Sequence, residues 1–513
     1  MLRTIPLSLL QEESPRQDGI GTAHEQVTTR SSEAQRWYDE GLAHLYSFSW
    51  IEAARAFHAA LRIDNRLAMA HLGLSFAFGG LGSMQGANDE LRRARDLGAG
   101  AGERDRVRIR LRSLQLATLA DPDGTSRRDY ITALDRALQT YPRDVELLLL
   151  RGEGEAGSGG PPGMSSGASA IGFFERARQA APQAFAPHHY LAHAFENSGQ
   201  MDLAVRESET YTRMAPAVAH AHHMFGHGLL RTDQATRAIE EFRKAADLEV
   251  LHNTTGHIPQ EYDWHHHHNA SLLAAAYRYV GQMRAAADLL RSTFSVAAPL
   301  LPEELDKRAW PAFLLAQGAV PDALEAAQRL IAHASPIVRA AGHLRAAHSH
   351  MTSGQLQPAA RETDAALDVL RGAGPDAAVL APDLRLAQGE LFLRGGDRPR
   401  GRQMIRDAIA SLRARPGPDA WTETLFTLEA IARAARSVGD ADLSTELAEE
   451  LQRHDPSYAG TRFALAVDAE RRGNRMAALR EYEYALQRWH SADPDFADLV
   501  YARAHAAALR QPR

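Results

Sequence analysis

Apolar side chains recur at helical spacing along almost the whole chain, and Gly and Pro fall mainly where one such stretch gives way to the next. Residues 34–65, AQRWYDEGLAHLYSFSWIEAARAFHAALRIDN, set the pattern. Small positions at Gly41, Ala53 and Ala60 let two antiparallel helices approach, and the rings of Trp37 and Phe57 fill the space between them. Similar helix pairs are expected at 68–98, 103–141, 143–182, 185–216, 219–250 and 267–298. They continue through about 305–333, 336–373, 380–414, 418–453 and 457–489, and DFADLVYARAHAAALR closes the array as a cap. Within 143–182 the turn is enlarged by GSGGPPGMSSG, whose composition predicts a flexible loop. Abundant Ala, Leu, Arg and Glu favour helix throughout.

The order of these residues, a bulky one, then Gly, then a small–aromatic–small series, closely resembles the tetratricopeptide repeat (TPR). The resemblance implies an all-α fold, an α-solenoid of TPR-like helix–turn–helix repeats wound as a right-handed superhelix. Each repeat packs only on its neighbours, so 513 residues need no single large core. The expected organisation is an N-terminal arm at 1–30, a repeat array at 31–300 and a second, supporting array at 301–513.

Thirteen of the 24 His lie between His188 and His268. His189 and His193 are spaced i, i+4, as are His223 and His227, so each pair shares one helix face. The pairs are offset by 34 residues, one repeat length. In the TPR register, positions 2, 5, 9, 12 and 13 of the first helix line the concave groove. With Gly199 at the turn, that register puts His189, His193, Glu196 and Asn197 in the groove. The next units add His220, His223, His227 and His268. Neighbouring helix axes lie about 8–10 Å apart, so imidazoles from facing stripes can converge on one ion or two. The expected metal ligands are therefore His189, His193, His223 and His227, with His220, His268 and Glu196. His188 and His222 fall at position 4 and are expected to pack between helices, and His252, His257, His265 and His266 read as loop residues.

Four segments are similar to those of a group of bacterial His-rich TPR proteins: GTAHEQVTTRSSEAQRWYDEGL, HYLAHAFE, HMFGH and the pair His268-Asn269. The likeness spans roughly residues 21–300 and implies no particular reaction. Ser49-Trp50 stands where Asn-His is common in that group. His24, in the arm, is a further candidate to reach the groove.

One connection is abnormal. The unit at 267 starts one period plus 14 residues after the unit at 219. The surplus, EVLHNTTGHIPQEYDWHH, carries Pro259, Glu261, Tyr262, Asp263 and Trp264. Residues 252–266 are expected to fold over the groove as a water-excluding lid, with Glu196, Glu261 and Tyr262 as candidate catalytic groups.

Composition narrows the chemistry. With no Cys, thiolate sites and disulfides are excluded, and any metal has nitrogen and oxygen ligands. Zn, Fe or Cu fit that donor set, as one ion or a dinuclear pair. Lys plus Arg is 58 against 64 for Asp plus Glu, a net charge of −6, so no nucleic acid partner is expected. No run of about 18 apolar residues predicts a membrane span, and the expected location is cytoplasmic. GEGEAGSGG follows no strand, which argues against a dinucleotide site, and the H-E-x-x-H arrangement of zinc proteases is absent. The leading expectation is a metalloenzyme acting oxidatively on a small molecule or peptide in the groove, with hydrolysis through a metal-bound water second. The alternatives are a non-catalytic protein–peptide scaffold and a metal store or carrier. Oligomeric state is open.

Overall fold

The computed structural model describes residues 5–119, 121, 124–156, 164–415 and 417–511. Residues 157–163, most of the expected flexible loop, lie outside that set. Among the described residues the regular structure is wholly helical, as the repeat pattern predicts. Helix pairs occupy the anticipated places: Ser32–Tyr46 with Trp50–Ile63, Ala68–Gly80 with Met84–Gly98, and Ala186–Asn197 with Met201–Met214. The series ends on Ala459–Arg471 with Arg475–Arg488, followed by the single helix Ala497–Arg510. No described helix is long and apolar enough to cross a membrane.

The hairpins close as the small and aromatic positions require. A Cβ on Gly41 would sit 2.5 Å from the Phe57 ring, and one on Gly226 would sit 2.7 Å from Phe242. Any larger residue there would push the two helices of the repeat apart. Phe57 and Phe242 are fully buried.

The chain divides into two compact units, one running to His266 and the other from His267. In the first, the N-terminal arm is strapped along the repeats. Leu9 and Leu10 are buried. Arg55 donates to the Leu9 carbonyl at 2.8 Å and pairs with Glu12 at 3.0 Å. Further along, Arg16 pairs with Glu40, and Ala217 N–H donates to the Gly19 carbonyl.

The surplus between the sixth and seventh repeats is largely helical, which revises the reading of this stretch as a loop. VLHNTT contains no breaker before Gly256, so the helix Ala235–Thr255 runs on for 21 residues. Pro259 precedes a single 3-10 turn, Gln260–Tyr262, and the next helix, Trp264–Tyr279, starts upstream of the repeat's own first position. Asp263 accepts from His266 N–H at 3.1 Å and so caps that helix. His252, His265 and His266 are thus helical, and His257 sits in the left-handed region at φ 50°.

Candidate metal centre

Three helices of the first unit bring their histidines together. Ala186–Asn197 presents His189 and His193 one turn apart, and Ala219–Arg231 presents His220, His223 and His227. The start of Trp264–Tyr279 adds His265. All six rings are buried, His189 and His223 completely. Nε2 of His189 lies 3.1 Å from Nε2 of His193 and 3.0 Å from Nε2 of His220. Nδ1 of His220 is 2.9 Å from Nε2 of His265, and the Nε2 atoms of His223 and His227 are 2.8 Å apart. His189, His193 and His220 form one group able to hold a metal ion, and His220, His223 and His265 form another.

Partners outside the cluster orient the rings. His189 Nδ1 donates to the Tyr46 carbonyl at 2.6 Å, and Tyr211 stacks on the ring with centroids 4.9 Å apart. His265 Nδ1 donates to Glu249 at 2.5 Å. A carbonyl or carboxylate on Nδ1 fixes the tautomer and turns the Nε2 lone pair inward, as metal-binding imidazoles require. Burial pushes the His189 pKa down to about 3. Burial and the neighbouring imidazoles push His220 well below its ordinary value. Both rings are therefore neutral and hold a free lone pair at physiological pH.

Glu196 lies 3.4 Å from His227 Nδ1 and 3.3 Å from Arg231. Burial would raise its pKa, but His227 and Arg231 outweigh burial and hold the carboxyl below its usual range. Glu249 is likewise held down against burial by His265 and His266. Sequence reasoning missed His265 and Glu249. Asp263 as a helix cap was the signal, because it puts His265 in the first turn, three residues before His268.

Phe48 plugs the cluster from the first repeat, with its ring 4.7 Å from His189 and 5.0 Å from His220. Its backbone is left-handed, φ 59°, which a bulky residue adopts only under constraint. Trp264 supplies the constraint by donating to the Phe48 carbonyl at 3.1 Å and stacking on Trp50. Trp50, where the His-rich group has His, thus packs against the insertion. The cavity at this seam is about 50 Å³, bordered by His220, His265, Glu249, Trp50 and Tyr262. Glu261 is half-buried in the 3-10 turn beside it.

Several other histidines have carboxylate neighbours of their own. His24 is exposed and pairs with Asp39 at 2.7 Å. His188 and His222, next in sequence to cluster members, turn the other way and pair with Glu207 and Glu241 at 2.6 and 2.7 Å. His71–Glu90 and His343–Glu362 repeat that arrangement, each carboxylate 19 residues downstream on the second helix of the repeat. His268 is buried in the unit from His267, with Nδ1 3.9 Å from Asp419.

That unit holds a different stripe. A cavity of about 400 Å³ is lined by Arg278, Arg308, Arg345, Arg394 and Arg433 among Leu, Ala and Phe426. Each guanidinium meets a carboxylate: Arg278 and Arg433 meet Glu429, Arg308 meets Glu423, Arg345 meets Asp383, and Arg394 meets Glu390.

No family model and no curated protein matches the chain. Among solved structures it is similar to the human IFIT1 dimer with PPP-AAAA, at 12% identity over 88% of this chain and 90% of that one, with a TM-score of 0.35. The human IFIT1 dimer with m7Gppp-AAAA gives 12% identity over 91% and 92%, with a TM-score of 0.37. Two expectations are corrected here. These structures are described by the nucleotide they hold, and the histidines of this chain sit in a closed interior beside a cavity of about 50 Å³. The expectation of an oxidative metalloenzyme is withdrawn. The exclusion of nucleic acid also falls, since IFIT1 appears with PPP-AAAA and m7Gppp-AAAA, and a charge summed over 513 residues does not describe any one groove. At these scores the likeness extends to the build alone, an all-helical repeat array of the tetratricopeptide type.

Proposed function

We propose that the chain is a non-catalytic TPR-type binding scaffold whose first unit is pinned by transition metal, Zn, Cu or Fe, held in the histidine cluster. The observation that carries this reading is enclosure. The imidazoles are buried around one another, and the adjoining cavity is about 50 Å³, room for little more than water. An ion there takes its ligands from protein, which is the habit of a structural or stored metal rather than one that turns over substrate.

The donor chemistry fits. Two nitrogens bound to one ion at about 2.0–2.1 Å lie about 3 Å apart, the spacing of the facing Nε2 atoms. In this reading His189, His193, His220, His223 and His227 are ligands, joined by His265. Glu196 orients His227 from outside, and Tyr262 and Glu261 help seal the seam rather than act on a substrate. The resemblance to the bacterial His-rich group supports the same placement. The scaffold's ligand is a peptide segment, and the cavity of about 400 Å³ in the unit from His267 has the size of a ligand site.

The test is metal content of untagged, full-length protein by plasma mass spectrometry, before and after a strong chelator. The expected result is bound metal that leaves slowly, with retained helicity and a lower thermal midpoint. Protein that is metal-free as isolated, and that takes up no Zn, Cu or Fe on incubation, would refute the reading.

A further inference from the structure

The three nitrogens that meet at His189 Nε2 do not satisfy one another as hydrogen-bond partners. His189 Nδ1 carries its proton toward the Tyr46 carbonyl, so Nε2 has one lone pair. Two imidazole nitrogens face that lone pair at once, His193 Nε2 at 3.1 Å and His220 Nε2 at 3.0 Å. One lone pair accepts one N–H, so one of these contacts sets lone pair against lone pair, or donor against an occupied acceptor. A cation between the three nitrogens removes the conflict, because all three lone pairs then point at the same charge.

The opposite edge of His220 meets a second group of imidazole nitrogens. His265 donates from Nδ1 to Glu249 and turns its Nε2 toward His220 Nδ1 at 2.9 Å, with a nitrogen of His223 completing the group. The two nitrogens of His220 thus face separate triads, and neither faces a carboxylate.

We propose that His220 is a bridging ligand, its Nε2 on one metal ion with His189 and His193, its Nδ1 on a second with His265 and His223. The inference rests on the metal reading above and adds its stoichiometry and connectivity. A neutral imidazole has one free lone pair, so the second ion displaces the remaining N–H proton, which passes to solvent. The ring then carries a lone pair to each metal. Five imidazoles serve two three-nitrogen sites only because one of them is shared. The third position on each ion's coordination shell is filled without water, in keeping with the enclosure by Phe48 and Trp264.

The experiment uses the metal-free full-length chain titrated with Cu(II) alone and followed by electron paramagnetic resonance. An imidazolate bridge couples two copper spins antiparallel. The expected result is two copper ions bound per chain, with integrated spin intensity far below the bound copper. His220→Ala should abolish the coupled pair, so that any copper it retains is fully visible. His222→Ala, whose ring turns to Glu241, should keep two coupled ions. Two bound ions with full spin intensity in the native chain, or a single ion per chain, would overturn the bridge and leave the metal site. No bound copper would overturn both. Because the spin count is read on the native chain, the result stands even if His220→Ala does not fold.

Discussion

The two units set a polar stripe on the same kind of helical hairpin and reach opposite chemical ends. In the unit from His267, five arginines lining the cavity each meet a carboxylate, so positive charge is answered within the protein. In the unit ending at His266, imidazole meets imidazole, with the carboxylates of Glu196 and Glu249 at the margin. A stripe of cations with counterions is electrostatically complete. Where imidazole nitrogens converge on His189 Nε2, a cation completes the set. Cationic residues in a groove therefore do not identify a metal site; converging imidazole nitrogens point to one.

Metal removal should break this comparison most. With metal held far above its dissociation constant, linkage is worth about 4 kcal/mol at a thousandfold excess. Chelation should lower the unfolding midpoint of the histidine-bearing unit by that order. The unit from His267 should keep its own transition, which calorimetry resolves as a second peak. If both peaks fall equally, the contrast between the units is lost.

Replacing one arginine attacks the other side. Arg308 is 11% exposed and pairs with Glu423 at 2.6 Å. Arg308→Met leaves the half-buried Glu423 with Arg415 alone, 3.2 Å away, and should cost about 2 kcal/mol in urea titration, with copper or zinc content unchanged. A fall in metal content would show that the stripes are not independent.

Acidity sharpens the contrast further. Burial, reinforced by Asp306, raises the Glu303 pKa to about 8. The folded state therefore binds a proton that the unfolded state, with an ordinary glutamate, has released by about pH 5. The contribution is fully present below the unfolded pKa and is lost as pH rises through 8, at a slope of at most about 1.4 kcal/mol per pH unit. Glu303→Gln should flatten that slope in stability measured from pH 5 to 8, and an unchanged slope would show that another group causes it.

The smallest effect separates neighbours in sequence. His222→Ala loses a half-buried pair with Glu241 and should cost about 1 kcal/mol with metal retained, whereas His223→Ala should release metal. The reverse result would put the repeat register off by one.

These neighbours also show how far the sequence was legible. The hairpins could be read because Trp37, Gly41, Phe57 and their counterparts recur with the period of one repeat, and small-against-aromatic packing is local. His189, His193, His220, His223 and His227 could be placed because helical spacing and repeat length are both arithmetic. His265 could not be placed that way, since the helix Ala235–Thr255 overruns its repeat and the next helix starts early. The Tyr46 carbonyl and Phe48 were invisible for a different reason. They come from a turn more than 130 residues away, and a backbone carbonyl leaves no mark in a sequence. Nor did the sequence announce that position-4 histidines are claimed by a glutamate 19 residues on, which sorts His188 and His222 out of the cluster.

Arg55 has a consequence for how the first unit comes apart. It reaches back to the arm through the Leu9 carbonyl and forward to the Gly256 carbonyl, 201 residues away, while Trp264 holds the Phe48 carbonyl 216 residues away. An ordinary solenoid behaves like a row of dominoes, each piece leaning only on the next, and can fray from either end. Here the first piece is tied to the last. Those ties oppose fraying of the end repeats, so the unit is expected to melt as one block, and the first hairpin gains its last contacts only once residue 264 has left the ribosome.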